Sequence, residues 1–245
     1  RGLGDVYKRQ LLEHCERILE DYKRLEYEMH LLHNEYTGGL KLGASTTIAQ
    51  YVLPPLLASF IGKFPQVNLS LLNGNSREIE AALQEHRIDL GFVEGVFRLP
   101  NIKYTTFLED ELVAVVRTGS RLTVGEEITP EELLHLPLVL RERGSGTLDV
   151  FERALQQHNI KLSSLQVLMY LGSTESIKLF LEHTDCLGIV YIRSITRELY
   201  SGQLRVVEIK GMPMLRDFSF AQPQGQESGL AQVFMQFAMH NNNKL

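Results

Sequence analysis

Three turns along the chain carry small hydroxyl residues where a strand-like apolar run gives way to a helical pattern. At such a turn the first backbone N–H groups of the helix have no partner within it, and a Ser or Thr hydroxyl can donate a hydrogen bond beside them. Together these groups hold a small anion, although Ser and Thr also stand at helix starts simply as caps. The turns are residues 45–47, 144–147 and 172–174, and their candidate effector-binding residues are Ser45, Thr46, Thr47, Ser145, Thr147 and Ser173.

A fourth turn adds Asn75 and Ser76, which follow the strand-like run VNLSLL and begin the helical pattern SREIEAALQEH. Glu94 lies at the equivalent end of another strand-like run, DLGFVEG. Its carboxylate either accepts a hydrogen bond from a ligand amine or faces solvent, and the sequence leaves both alternatives open. Because the turns stand at equivalent ends of their strands, we expect them to converge on one ligand site.

Motifs that mark common catalytic sites are absent from the sequence, namely G-x-S-x-G, H-E-x-x-H, G-x-x-x-x-G-K-[ST] and C-x-x-C. The run at 144–147, Gly-Ser-Gly-Thr, lacks the lysine that a phosphate-cleaving loop requires. The two cysteines, Cys15 and Cys186, are too few for a disulfide framework or a metal site. We therefore expect no enzyme activity, no metal and no cofactor, and the cysteine count favours the reducing cytoplasm.

The turns belong to an α/β pattern that occurs twice. After residue 37, three strand-like runs alternate with two helical patterns, and an extended stretch, YTTFLEDELVAVVRTGS, leads into a second alternating set. This rhythm predicts parallel sheets in two lobes, lobe I at 38–117 plus 215–245 and lobe II at 118–214, with a ligand cleft between them. Within the first helical pattern, Pro54 and Pro55 predict a kink or a split into two helices.

A different pattern precedes the lobes, over residues 11–37. Apolar residues recur there at alternating spacings of four and three, which is the heptad repeat of a coiled coil, and charged or amide-bearing residues lie between them. So narrow a stripe favours a dimerisation helix that pairs with a second copy of the chain; the alternative is a helix packed on its own domain. The predicted dimerisation residues are Leu11, Cys15, Ile18, Tyr22, Leu25, Met29, Leu32 and Tyr36.

Composition places the chain among ordinary globular proteins, since 44% of its 245 residues are hydrophobic and 22% are charged, with a formal net charge of −5. No apolar run approaches the roughly 20 residues of a membrane helix, and no Lys/Arg-rich block offers a surface to nucleic acid. We therefore expect no membrane contact. Residues 1–10 resemble translated adaptor or vector sequence and are left out of the fold prediction; a genuine loop is the alternative.

The order of these pieces resembles the LysR-type transcriptional regulators. The resemblance covers about residues 11–240 and is carried by the heptad helix, the stretch from GGLKLGASTTIAQYVLPP to DLGFVEG, and the runs FLEDELVAVV, LVLRERGSGT and LGIVYI. It implies a two-lobed type II periplasmic-binding-protein-like fold used as a cytoplasmic sensor, preceded by a winged helix-turn-helix that this chain lacks. It also implies homodimers that assemble into homotetramers on DNA, and effector contacts at the turns named above.

Some residues depart from the family pattern. Arg143 stands where members often have proline, and it either pairs with an anionic effector or lies on the surface. The runs VEGVF and FLEDELVAVV look most like the branch that governs sulfur assimilation or carbon fixation, which implies a small anion or an organic acid as effector. The remaining alternatives are a periplasmic-type solute-binding protein for a small anion, which would have no use for a heptad helix, and an enzyme, which would need an acid or a base in the cleft.

Overall fold

The structure is a computed structural model that describes residues 8, 11, 12, 14, 15, 18, 22, 36–95, 98–122, 124–225 and 229–241. Its strands are β1 (Gly38–Ser45), β2 (Val67–Gly74), β3 (Leu90–Glu94), β4 (Ile102–Arg117), β5 (Glu127–Ile128), β6 (Pro137–Arg141), β7 (Gln166–Leu171), β8 (Leu187–Tyr191), β9 (Leu204–Ile209) and β10 (Met214–Pro223). Its α-helices are α1 (Thr46–Tyr51), α2 (Leu53–Lys63), α3 (Ser76–Gln84), α4 (Gly146–Gln157), α5 (Thr174–His183), α6 (Thr196–Tyr200) and α7 (Gly229–Asn241). Short 3-10 helices span Glu132–His135, Leu162–Ser164 and Ile192–Ile195.

Strands from both halves of the chain join edge to edge in one sheet, in the order β2-β1-β3-β10-β4-β8-β6-β7. β1 pairs in parallel with β2 and β3, and β6 pairs in parallel with β7 and β8. Each half therefore has the parallel arrangement that alternating strands and helices produce. The predicted α/β fold with two lobes is confirmed.

The 16-residue strand β4 connects the lobes. Its first part pairs antiparallel with β10, and from Leu112 onward it pairs with β8 and then β9. Because β10 also pairs with β3, the strands β4 and β10 cross between the lobes side by side. Two such strands form a hinge about which lobes can move as rigid bodies.

The proline pair divides the first helical pattern in two, as the sequence predicts. α1 ends at Tyr51 and α2 begins at Leu53, so that Pro54 and Pro55 stand in the first turn of α2, where a missing backbone N–H removes no helix hydrogen bond. The break leaves α1 as a short helix whose first residues, Thr46 and Thr47, are buried.

An aromatic cluster anchors the last helix on lobe I. The rings of Phe234 and Phe237 on α7 lie 4.8 and 5.2 Å from the ring of Phe60 on α2, measured between centroids. Phe92 of β3 lies 5.8 Å from Phe234 in the same way. The final helix therefore packs on lobe I, the lobe to which the sequence analysis assigns it.

The described residues of the N-terminal segment are helical and exposed. They include Leu11, Cys15, Ile18 and Tyr22 of the predicted dimerisation face, whereas Leu25, Met29 and Leu32 lie outside the described residues, as do residues 1–10 apart from Lys8.

Tyr36 departs from the prediction. It is not helical, and its ring packs against Phe64 of lobe I at 5.5 Å between centroids, so the placement of Tyr36 on the dimerisation face is wrong. In the part of the chain that the structure describes, no helix is long and apolar enough to cross a membrane.

Phe60→Ala should lower the free energy of unfolding by about 3–5 kcal/mol, because it leaves a cavity among buried rings. Urea denaturation followed by circular dichroism measures this loss. Leu215→Ala is the matched control: Leu215 is 70% exposed, so its truncation should change stability by less than about 0.5 kcal/mol. Equally small losses in the two variants would contradict the packing of α2 against α7.

Candidate functional site

The Glu94 carboxylate lies where turns of the two lobes meet. Glu94 ends β3 and is 4% exposed. Its Oε1 accepts hydrogen bonds from Thr47 Oγ1 at 3.2 Å and from Thr147 Oγ1 at 3.4 Å. Thr47 belongs to α1 of lobe I and Thr147 to α4 of lobe II, so one carboxylate oxygen bridges the lobes.

Two buried arginines each donate to one of these threonines. Arg216 Nη1 donates to Thr147 Oγ1 at 3.0 Å, and Arg141 Nη1 donates to Thr47 Oγ1 at 3.4 Å. Since each threonine donates onward to Glu94, a hydroxyl links each guanidinium to the carboxylate. Arg216 Nη1 also lies 2.8 Å from Glu94 Oε2, a contact that is close enough for an ion pair but lacks hydrogen-bond geometry.

Arg216 holds a second carboxylate, that of Asp110 on β4. Arg216 Nε donates to Asp110 Oδ2 at 2.6 Å, and both side chains are 1% exposed. Burial raises the pKa of Asp110 to about 6; the Glu94 charge adds to the rise, while Arg216 opposes it. Two carboxylates thus share one buried guanidinium. We call this set the interlobe cluster: Thr47, Glu94, Asp110, Arg141, Thr147 and Arg216.

The lobes touch directly around the interlobe cluster. Gly146 lies so close to β3 that a Cβ atom there would stand 2.3 Å from the Glu94 carbonyl oxygen, so no larger residue fits. Gly144 has φ of +92°, which favours glycine, and its carbonyl accepts a hydrogen bond from Arg77 N at 3.4 Å. The Gly-Ser-Gly-Thr turn of lobe II is therefore seated on lobe I beside Glu94.

Some buried polar atoms of the turns and of the interlobe cluster lack partners. Among the described residues, Ser45 Oγ, Asp110 Oδ1 and Arg216 Nη2 are buried and make no hydrogen bond. Leaving such a group unpaired costs about 1–3 kcal/mol, and more for a charged group. These atoms offer a small polar molecule one hydroxyl, one carboxylate oxygen and one guanidinium N–H. Within the same described set, no group of three or more His, Cys, Asp or Glu side chains is arranged to hold a metal ion.

The structure brings several predicted residues together at this place. Thr47 and Thr147 both donate hydrogen bonds to Glu94. Glu94 is buried, so the alternative in which its carboxylate faces solvent is wrong. Ser76 Oγ donates to the Glu94 carbonyl at 2.9 Å. Of the other predicted residues of these turns, three bond to the backbone or cap a helix: Thr46 donates to the Gly74 carbonyl, Ser145 caps α4 through Thr147 N, and Asn75 forms a capping box with Glu78. The Ser45 hydroxyl is buried beside them and makes no hydrogen bond.

Two predicted residues lie elsewhere. Arg143 is exposed, in agreement with the alternative that places it on the surface. Ser173 caps α5, where its Oγ accepts a hydrogen bond from Ser176 N at 3.1 Å. In the described residues no hydrogen bond joins Ser173 to the interlobe cluster. Ser173 therefore serves as a helix cap, and its role in effector binding stays a prediction.

Sequence reasoning missed Asp110, Arg141 and Arg216. A signal exists for Arg216, because Met214, Arg216, Phe218 and Phe220 alternate along β10 and all four are buried. A charged residue at an inward position of an apolar alternation has to find a buried partner. Asp110 likewise occupies a buried position two residues before Leu112 and four before Ala114, which are buried on β4 as well.

A family model matches most of the chain. Residues 33–242 match the family model described as LysR substrate binding domain. The chain is 35% identical over 182 residues to the uncharacterized HTH-type transcriptional regulator YeiE of Escherichia coli (strain K12). This match covers 74% of this chain and 61% of that protein. It is 28% identical over 224 residues to the RuBisCO operon transcriptional regulator of Acidithiobacillus ferrooxidans. This second match covers 91% of this chain and 71% of that protein.

A solved structure gives the same result for the fold. The regulatory domain of CcmR from Synechocystis PCC6803, in complex with 2-PG, matches with a TM-score of 0.74 and 27% identity, over 83% of this chain and 97% of that domain. The chain spans 61% of the length of the YeiE regulator. Because these two relatives are transcriptional regulators and the solved structure is a regulatory domain, the comparisons favour a domain of a regulator over a solute-binding protein.

Asp110→Asn should change how stability depends on pH. The folded chain keeps the Asp110 proton up to about pH 6, whereas the carboxyl has its ordinary pKa of 3.8 in the unfolded chain. The stabilisation from this proton is complete below the unfolded value and is lost as pH rises through about 6. Across this window the unfolding free energy of the parent should therefore fall relative to that of Asp110→Asn, by about 1.4 kcal/mol for each unit by which the pKa is raised.

Urea denaturation at a series of pH values measures this difference. Asp217→Asn, one position from Arg216 on β10, is the matched control and should follow the parent. Parallel pH dependences of the parent and Asp110→Asn would contradict the raised pKa.

Proposed function

Because this chain belongs to the LysR family of transcriptional regulators, we propose that it is the ligand-sensing part of such a regulator and binds a small anion between its lobes. The observation that carries this proposal is the Glu94 carboxylate, which two hydroxyls and a guanidinium hold at the meeting point of the lobes. Donors that hold the chain's own carboxylate suit a compact anion with the same acceptors. The effector then replaces Glu94 at these donors.

Competition with Glu94 sets both the affinity and the preferred class of anion. The free energy of effector binding is the difference between the contacts that the anion makes and those that Glu94 gives up. An anion that also engages Ser45 Oγ and Arg216 Nη2 gains bonds that Glu94 does not make, at about 1.5–3 kcal/mol for a charge-assisted bond. This favours anions with several acceptor oxygens over a molecule with a single carboxylate. Such anions are oxoanions and metabolites that carry a phosphate or an additional carboxylate. The 2-PG complex of the CcmR regulatory domain supports this class.

The proposed signal is a change in the arrangement of the lobes about β4 and β10. A homodimer, assembled into a homotetramer, passes this change to winged helix-turn-helix heads that bind DNA in the cytoplasm. An effector shifts the balance only by its differential affinity for the two arrangements, and about 1.4 kcal/mol changes their ratio tenfold. In this role the chain catalyses no reaction.

Exposed apolar residues at both edges of the sheet support the proposed homodimer. The edge strand β2 exposes Leu71 and Leu72 at 38% and 36%, and the opposite edge strand β7 exposes Leu168, Met169 and Tyr170 at 53%, 49% and 43%. Soluble proteins seldom leave apolar edge strands uncovered, because such edges invite pairing with other chains. Together with the exposed Leu11, Ile18 and Tyr22, these edges offer a second copy three separate surfaces.

Glu94→Gln should bind anions more tightly than the parent, roughly tenfold or more, because it removes the charge that competes for Arg216 and both threonines. A thermal-shift screen of sulfate, sulfite, O-acetylserine and sugar phosphates, followed by calorimetry on each compound that raises the melting temperature, measures the change. Glu80→Gln is the matched control: Glu80 is also buried but accepts its hydrogen bond from Tyr104, outside the interlobe cluster.

Two results would contradict the proposal. Weaker binding by Glu94→Gln would mean that Glu94 itself contacts the ligand, as a carboxylate does with an amine. Conversion of a screened compound into a product would favour an enzyme.

Ile18→Glu should weaken self-association, because it places a charge on the predicted dimerisation face, where Ile18 is 67% exposed. Analytical ultracentrifugation over a concentration series measures the dissociation constant of the dimer, which we expect to rise roughly tenfold. Leu12→Glu is the control, since Leu12 is 59% exposed but lies off the heptad positions. A monomeric parent chain, or equal effects of the two substitutions, would rule out dimerisation through this face.

A further inference from the structure

A second polar group joins the lobes beside the interlobe cluster. Tyr51, the last residue of α1 in lobe I, donates a hydrogen bond from its hydroxyl to Glu175 Oε1 in the first turn of α5 in lobe II. The same carboxylate oxygen accepts a hydrogen bond from Lys178 Nζ at 2.8 Å. That ammonium group also lies 5.6 Å from the centre of the Tyr51 ring. Tyr51 and Glu175 thus form a direct bond across the gap between the lobes.

Lys178 fixes Glu175 in place. Lys178 is 7% exposed, and its ammonium contacts Glu175 Oε1 at 2.8 Å, Glu198 Oε1 at 2.8 Å and the Ser194 carbonyl at 2.9 Å. The contacts with Glu175 and the Ser194 carbonyl are hydrogen bonds, and the contact with Glu198 is an ion pair. Because two carboxylates share one ammonium, Glu175 still has negative charge to offer to a further donor. The Tyr51 hydroxyl is that donor, and burial together with Glu175 raises its pKa, which keeps it protonated.

The position of this bond suits a contact that opens and closes. Tyr51 is only partly buried, and the Glu175 side chain is 47% exposed, so the bond can break without exposing the core of either lobe. The ring of Tyr191 separates it from the interlobe cluster. That ring lies 6.1 Å from the Tyr51 ring and 5.7 Å from the Arg216 guanidinium. The two contacts between the lobes are therefore neighbours, but they share no residue.

We propose that the Tyr51–Glu175 hydrogen bond is a latch that holds the lobes in the arrangement described here and sets how readily they open. Tyr51 belongs to a helix of lobe I and Glu175 is held by Lys178 of lobe II, so separating the lobes breaks the bond. The loss of a hydrogen bond to a charged group raises the ratio of open to closed molecules roughly tenfold or more. The inference concerns the lobes alone, so its test needs no effector and its failure would leave the proposed anion site untouched.

Pulsed electron paramagnetic resonance between one spin label on each lobe tests the latch. The labels go on Ser59→Cys of α2 and Glu182→Cys of α5, both exposed, in a chain that carries Cys15→Ser; Cys186 is buried. Unlabelled chain in excess removes distances between copies. Tyr51→Phe keeps the ring and removes only the hydroxyl, and it should raise the population at the longer distance roughly tenfold. Glu175→Gln, which keeps an acceptor but loses the charge, should raise it less.

Two further variants make the result decisive. Gly146→Ala places a Cβ atom against the Glu94 backbone, which wedges the lobes apart and so calibrates the longer distance. Tyr104→Phe likewise removes a tyrosine hydroxyl that donates to a carboxylate, that of Glu80, but both residues belong to lobe I. This substitution should therefore leave the distances between the lobes as they are in the parent. An unchanged distance distribution in Tyr51→Phe would overturn the latch, and so would equal changes in Tyr51→Phe and Tyr104→Phe.

Discussion

A buried carboxylate between two lobes constrains everything around it. Removing a charge from water costs several kcal/mol unless neighbouring groups compensate, and Glu94 is compensated only where both lobes contribute. Thr47 comes from lobe I and Thr147 from lobe II, and Arg216 lies on the hinge strand β10. Gly146 has to be glycine for lobe II to come close enough. The closed arrangement of the lobes is therefore the arrangement that satisfies Glu94.

The same charge connects the ligand position to the hinge. Asp110 and Arg216 stand directly opposite each other on β4 and β10, so their ion pair links the two strands that cross between the lobes. In the proposed mechanism an anion that displaces Glu94 takes over its ion pair with Arg216, which also binds Asp110. Moving Glu94 without replacing its charge would leave the buried Arg216 less compensated, so the hinge has a physical reason to respond when Glu94 moves. The proposed sensing mechanism depends on this coupling.

The fold was predictable because it follows from local patterns. Alternating apolar runs predict the parallel strands, and Pro54 with Pro55 predicts the break between α1 and α2. The site was predictable only in part, since hydroxyls at helix starts point to Thr47 and Thr147 but equally to caps, which is what Ser145 and Ser173 are. Arg141 and Arg216 could not be placed this way, because the threonines to which they donate are distant from them in the chain. A charged residue inside an apolar alternation is the signal that would have found Arg216.

The most direct test of the account is a crystal structure of this chain grown with the anion that gives the largest thermal shift. We predict that the anion lies within hydrogen-bond distance of Thr47 Oγ1, Thr147 Oγ1 and Arg216, with the Glu94 carboxylate turned away from all three. An anion bound elsewhere, with Glu94 still accepting from both threonines, would contradict the claim that Glu94 holds the effector position.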